Sequence, residues 1–267
     1  MDEYIHVLKV EKIYAYNQGC TCPILAELSD GRRAVVKYPK NSFEEIVLVN
    51  EYIAYNIAEA INLSTPNFGI AHIDESITLA SSLIDHSIEQ FQGVGFFCEY
   101  IPSAFKASLG VLKQVENLDE SCKLILFDHV VKNSDRYASN VIVAANKIKA
   151  KMFFIDHSHA FGDPNWDKNT LSVNDAASPY IWQENLAFYD MLIRAGAPMG
   201  ETNFIDETQV FKEMITEDLL NGIIQSIPEE WRKKVGKENL LHVEQYIKSR
   251  VQNIDKICEM IARERGI

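Results

Sequence analysis

The chain has 267 residues, 47% hydrophobic and 24% charged, which excludes wholesale disorder and suits one large domain or two lobes around a packed core. A formal net charge of −12 argues against broad binding to nucleic acid or an anionic membrane, since both need basic patches to neutralise phosphate. Five cysteines, at 20, 22, 98, 122 and 258, lack a disulfide-framework spacing, and no apolar run approaches the roughly 18 residues of a membrane span, so free thiols and a cytoplasmic setting are expected.

Residues 1–40 are β-rich by pattern. ILAEL and RAVVKY are short apolar-leaning runs joined by Ser29, Asp30 and Gly31, and the Asp-Gly pair predicts a hairpin. A helix is predicted over SFEEIVLVNEYIAYNIAEAINL: Ser42 and Glu45 form a capping box, and Ile46, Val49, Ile53, Ile57 and Ala60 recur at helical spacing. A second β-like region runs to GVGFFCEYIP, where Pro102 marks a strand leaving into a connector; the boundary drawn there gives domains of 1–100 and 101–267. NSDRYASN, residues 133–140, then interrupts the apolar runs LILFDHVV and VIVAA, and KMFFIDHSHAF follows. Three helical runs complete the chain: IWQENLAFYDMLIRAG ending at Gly196, DETQVFKEMITEDLLNGIIQSI ending before Pro228, and ENLLHVEQYIKSRVQNIDKICEMIARER.

Several polar residues stand out in this frame. Lys37 shares a strand face with Val35, so its ammonium can point inward, where it needs an anion; alone, it is better explained as an edge-strand lysine in water. Glu51 lies on a line with Val47, Ala54 and Ala58 beside the main apolar stripe, equally placed to meet a strand lysine or to face solvent. Asp135 and Asn140 in the polar loop, with Asp156 at the end of KMFFI, supply two carboxylates and an amide oxygen. That donor set suits a hard cation such as Mg²⁺, and a carboxylate off the metal can accept a hydroxyl proton. Each cluster alone also fits turn formers and a cap. His157 and His159 could face one ion from an extended segment, but a third histidine at motif spacing is missing.

A strand lysine, a glutamate on the next helix, an Asp-x-x-x-x-Asn loop and an apolar strand ending in Asp follow one another as the working parts of a protein-kinase-like phosphotransferase do. Through QGCTCP, VVKYP, NEYIAYNIAEAINLSTP, NSDRYASN and FIDHSHAF, the chain resembles the HipA-like serine/threonine kinases. The resemblance implies an α+β, two-lobed fold, with a β-rich N-lobe carrying one main helix and a mostly helical C-lobe. It implies ATP and Mg²⁺ as cofactors, Lys37 on the α/β-phosphates with Glu51 orienting it, and Asp135 as base. Asn140 and Asp156 would hold the metal. Backbone groups of Gly19, Cys20 and Thr21 would cover the phosphates, and those of Glu99, Tyr100 and Ile101 would meet the adenine. The implied acceptor is a protein serine or threonine, with a regulatory partner protein as a further expectation. A lipid or small-molecule acceptor, or a nucleotide-binding module without transfer, are the alternatives. The lid departs from the family pattern with one glycine and cysteines at 20 and 22, and Tyr137 stands where histidine is frequent.

Overall fold

The computed structural model describes residues 6–16, 21–39, 44–145, 149–162, 165–172 and 183–265. The expected hairpin is present: β2 (Ile24–Leu28) and β3 (Arg33–Lys37) pair antiparallel, Ala26 opposite Ala34. Gly31 takes the left-handed φ of 84° that its turn requires. Strands β1 (His6–Tyr16), β4 (Phe68–Ile73), β5 (Thr78–Leu79) and β6 (Gly93–Glu99) complete a sheet of order β2-β3-β6-β4-β1-β5. This sheet closes on itself because β1, besides its pairing with β5, joins both β4 and β2. Its first half, His6–Lys9, runs parallel to β4, while Val10–Tyr16 runs antiparallel to β2, with register shifts after Val10 and Ile13 that bend the strand. Alternation then sends Val10, Ile13, Ile24, Ala26, Val36 and Phe97 into one core, whereas Ile70, Val94 and Phe96 join another on the opposite face.

Helix α1 (Glu44–Ala60) lies against that second face. Its two predicted stripes are both covered: Val47, Leu48, Val49, Tyr52, Ile53, Ala54, Tyr55, Ile57 and Ala58 are all buried. A helix buried on nearly every side carries its one central carboxylate, Glu51, inside as well. Ser42 of the predicted capping box lies outside the described residues.

Beyond β6 the apolar run LILFDHVV is helix up to Val130, in α3 (Ser121–Val130) with Val131 as its C-cap, while VIVAA and KMFF are strands. The strands β7 (Phe105–Lys106), β8 (Val141–Ala145) and β9 (Ala150–Phe154) form a small antiparallel sheet, and α2 (Leu109–Leu112) is one short turn. Among the described residues six α-helices follow: α4 (Gln183–Ala195), α5 (Glu201–Met214), α6 (Glu217–Ser226), α7 (Glu229–Val235), α8 (Lys237–Gln252) and α9 (Ile254–Arg265). The middle predicted run is therefore two helices. Thr216 starts α6 as its N-cap, with the side chain accepting from the Leu219 N–H, an arrangement that satisfies an otherwise orphaned donor and redirects the chain. The last run also divides, at Asn253, and α7 lies where no helix was predicted. Trp231 of α7 is fully buried and its indole N–H donates to the Val94 carbonyl at 2.8 Å, fastening the helical part to β6.

Candidate functional site

Lys37 ends β3 and is 7% exposed. Its Nζ lies 2.7 Å from Asp156 Oδ1 and contacts Glu51 Oε1 of α1. The backbone there is crowded: a Cβ on Gly95 of β6 would collide with the Lys37 carbonyl oxygen, so glycine lets β3 and β6 approach. One ammonium serves two carboxylates unequally. Burial alone would lower the lysine's pKa, but Asp156 and Glu51 raise it above its ordinary value. Asp156, despite its own burial, is held well below the usual carboxylate range by Lys37 and by the Ser158 hydroxyl. Burial pushes Glu51 up to about 7 against the pull of Lys37.

Helix α1 holds the segment after β9 by two adjacent residues. Glu51 Oε2 accepts from the His157 N–H at 3.0 Å, and Asn50 Nδ2 donates to the carbonyls of Ser158 and Ala160 at 2.7 and 3.2 Å. Trp166 in turn donates its indole N–H to Asn50 Oδ1. Asp156 has φ 58°, a left-handed conformation that aspartate tolerates better than most residues. The carboxylate turns to Lys37 while the next side chain, His157, packs between Tyr55 and Phe127. Burial and the Arg136 guanidinium keep His157 neutral, its pKa far below the ordinary value. His159 is partly exposed beside Asp135, so the two histidines serve different neighbours. Among the described residues no group of three or more His, Cys, Asp or Glu side chains could hold a metal ion.

The loop 133–140 is clamped from below by a buried ion pair. Arg136 and Asp128 are both inaccessible, and the guanidinium donates to Asp128 at 3.0–3.2 Å and to the carbonyls of Asn140 and Ile155 at 3.1 Å. Asp128 also accepts from Asn133 and Tyr189, and Asn185 bridges the Arg136 N–H and the Asn133 carbonyl. None of Asp128, Asn185 and Tyr189 was picked out from the sequence. Asp128 had a signal, a lone carboxylate within an apolar run eight residues before an arginine; Asn185 and Tyr189 had only helical spacing.

On this platform Asp135 is half-buried, which raises its carboxyl above its ordinary value while His159 pulls the other way. Asn140 uses its amide nitrogen on the Asp135 carbonyl at 2.6 Å and on Asp135 Oδ2 at 3.0 Å. Its Oδ1, with only a long contact from Ser139, is therefore free to face a ligand. Asp156 Oδ1 is occupied by Lys37 and Ser158, leaving Oδ2. Two oxygens from a carboxylate and an amide fit a hard divalent cation that takes its remaining ligands from water and phosphate.

Lys37, Glu51, Asn140 and Asp156 line one cleft of about 320 Å³, together with Val35, Phe96, Glu99, Tyr100, Ile101, Ile142 and Ile155. The amides of Glu99 and Tyr100 donate internally to Asn67 O and Arg33 O, so of this predicted trio only the Ile101 N–H makes no hydrogen bond among the described residues. Gly19 and Cys20 lie outside the described residues. Thr21 is buried, Cys22 has φ 44°, and Pro23 lines the cleft.

A family model described as HipA-like kinase matches residues 10–261. The chain belongs to the HipA-like kinase family. Similar solved structures include a Helicobacter pylori proinflammatory kinase, CtkA, at 12% identity and TM-score 0.60 over 97% of this chain and 98% of that one. Hydra Fam20 with sugar is similar at 11% identity and TM-score 0.57, covering 97% and 88%. The Golgi casein kinase with Mn/ADP bound is similar at 10% identity and TM-score 0.52, covering 97% and 75%. At these identities the likeness is one of fold, and it bears out the expected α+β, kinase-like architecture of this HipA-like kinase. No protein of curated function shows significant similarity to the chain. Family membership makes phosphotransfer the class of chemistry for this HipA-like kinase.

Proposed function

We propose that this HipA-like kinase transfers the γ-phosphoryl group of ATP, with Mg²⁺, to a serine or threonine hydroxyl of a protein. The observation that carries this reading is that Asn140 and Asp156 line the same cleft as the Lys37–Glu51 pair, each with one oxygen left over from its protein hydrogen bonds. Mg²⁺, when bound, supplies neutralisation of the charge that grows on the phosphates during transfer. Lys37 binds the α/β-phosphates, and Glu51 keeps its ammonium from rotating away. Val35, Phe96, Ile142 and Ile155 supply apolar walls for the base, and the Ile101 N–H a donor to its edge. Asp135 takes the acceptor's proton at Oδ1, which has no hydrogen-bond donor among the described residues, while Asn140 steadies Oδ2. By the family resemblance, the amides of Gly19, Cys20 and Thr21 would cover the phosphates.

In this reading the N-lobe is 1–100, ending just after β6, and the C-lobe is 101–267. The acceptor and any regulatory partner are cytoplasmic proteins rather than nucleic acid or membrane, in keeping with the net charge of −12. Among the described residues no helix is long and apolar enough to cross a membrane.

The test is incubation with γ-labelled ATP, Mg²⁺ and either a dephosphorylated protein pool or a lipid extract. Label should enter serine and threonine of protein with the parent and fall to background with Asp135→Asn and with Asp156→Asn. Nucleotide binding by the parent without transfer to any acceptor would sink the enzyme reading; transfer confined to lipid would replace the acceptor.

A further inference from the structure

The kinase reading uses Asp135 and Asp156 separately, but the two carboxylates are joined by side chains to which it gives no role. Ser158 is 2% exposed, and its Oγ lies 2.6 Å from Asp156 Oδ1 and 3.2 Å from His159 Nδ1. A hydroxyl has one proton. The short bond to a carboxylate that has none to give consumes it, so Ser158 Oγ is an acceptor toward the imidazole and His159 Nδ1 carries the hydrogen. The same Nδ1 lies 3.7 Å from Asp135 Oδ2, too far for a hydrogen bond and close enough for its N–H dipole to face the carboxylate. His159 is also tied to the loop by its backbone, since its carbonyl accepts from the Ser134 N–H at 3.5 Å.

We propose that His159 is a positioning residue for the base: its Nδ1–H, oriented by Ser158, faces Asp135 Oδ2 across 3.7 Å, so that Asp156, Ser158, His159 and Asp135 form one continuous relay of contacts. This deepens the kinase reading and rests on Asp135 being the base. Asn140 Nδ2 donates to Oδ2 and the His159 Nδ1–H dipole lies beside the same oxygen, which leaves Oδ1 as the oxygen presented to the acceptor hydroxyl. The 3.7 Å gap is the kind that tightens when substrate completes a site. His159 touches neither nucleotide nor metal in this arrangement, so it governs how often the base is aimed and leaves ATP affinity alone.

Two measurements test this. The first needs no turnover: two-dimensional ¹H–¹⁵N spectra of the imidazole nitrogens in the unaltered protein, at alkaline pH, should show His159 as the Nδ1–H tautomer, and an Nε2–H tautomer would overturn the proposal. The second compares His159→Leu with His159→Asn, whose amide nitrogen falls near the position of Nδ1. His159→Leu should lower kcat about 10- to 100-fold, as loss of a supporting shell does, with KM for ATP and the affinity for Mg-ADP within about twofold of the parent. His159→Asn should restore most of kcat. A parent-like kcat in His159→Leu, or equal impairment of both variants, overturns the proposal while Asp135→Asn stays inactive. Transfer at the parent rate by Asp135→Asn would instead remove the base assignment, and the inference with it.

Discussion

Replacing Asp128 by asparagine tests what holds the polar loop in place. The substitution keeps the shape of the side chain but leaves the Arg136 guanidinium, fully enclosed, without a counter-charge. It also turns an amide N–H toward the Arg136 donors, where the carboxylate now accepts from Nε, Nη2, the Asn133 amide and the Tyr189 hydroxyl. Breaking one side of a buried, hydrogen-bonded ion pair costs about 3–5 kcal/mol. At roughly 2–4 °C per kcal/mol for a chain of this size, the melting temperature should fall by about 6–20 °C. Urea unfolding followed by tryptophan fluorescence gives the free energy, and Mg-ADP titration should show weaker binding because Asn140 rides on the same guanidinium. The double variant Asp128→Asn with Arg136→Met removes the stranded charge and should recover at least about 2 kcal/mol of the single variant's loss. A single variant within about 1 kcal/mol of the parent, or a double variant whose loss is the plain sum of both singles, would refute the reasoning.

Three further outcomes are expected. Lys37→Met leaves Glu51 and Asp156 facing each other without the ammonium, so nucleotide binding should drop at least about tenfold and Glu51 should take up a proton; unchanged Mg-ADP affinity by titration would remove Lys37 from the phosphate site. Gly95→Ala drives a methyl group into the Lys37 carbonyl, and a destabilisation of about 1–3 kcal/mol with weakened nucleotide affinity should appear in urea unfolding and titration; wild-type values would show that the strands can part freely. Glu51, raised from 4.5 to about 7 by burial, contributes stability that is complete below pH 4.5 and lost as pH rises through 7. Urea midpoints of Glu51→Gln should therefore gain on the parent between pH 4.5 and 7.5; parallel curves would contradict the shift.

How much of this was legible in the sequence depends on the range of the forces involved. The β2–β3 hairpin and α1 follow from local signals, an Asp-Gly turn and a helical stripe, and both are where the pattern puts them. The order of Lys37, Glu51, the polar loop and Asp156 was also visible, because a site built from several elements leaves a fixed order along the chain. LILFDHVV was not assignable as helix or strand, since an apolar run buried on all sides has no period to show. The closing of the sheet was invisible for a different reason: β1 changes partner at Val10, and pairing with strands some sixty residues away is set by what the fold brings near. Thr216 was a readable N-cap followed by two acidic residues, and the helical period running through it concealed the break. The clamp on the loop was hidden because Asn185 and Tyr189 acquire their meaning only when α4 lies beneath it.

The grip of Asn50 and Glu51 on residues 157–160 bears on how such an enzyme could be turned off. Sliding α1 outward would strip donors from two buried carbonyls and an acceptor from a buried N–H, at about 1–3 kcal/mol for each group left bare. Flipping the Asp156 turn would abandon the same bonds from the other end. The helix and the turn are consequently expected to open together, so that inactivation by this route would be all-or-none rather than graded. Hydrogen exchange should accordingly report one shared opening for the His157 amide and the middle of α1, and a small molecule that wedges the turn away must loosen the helix in the same event.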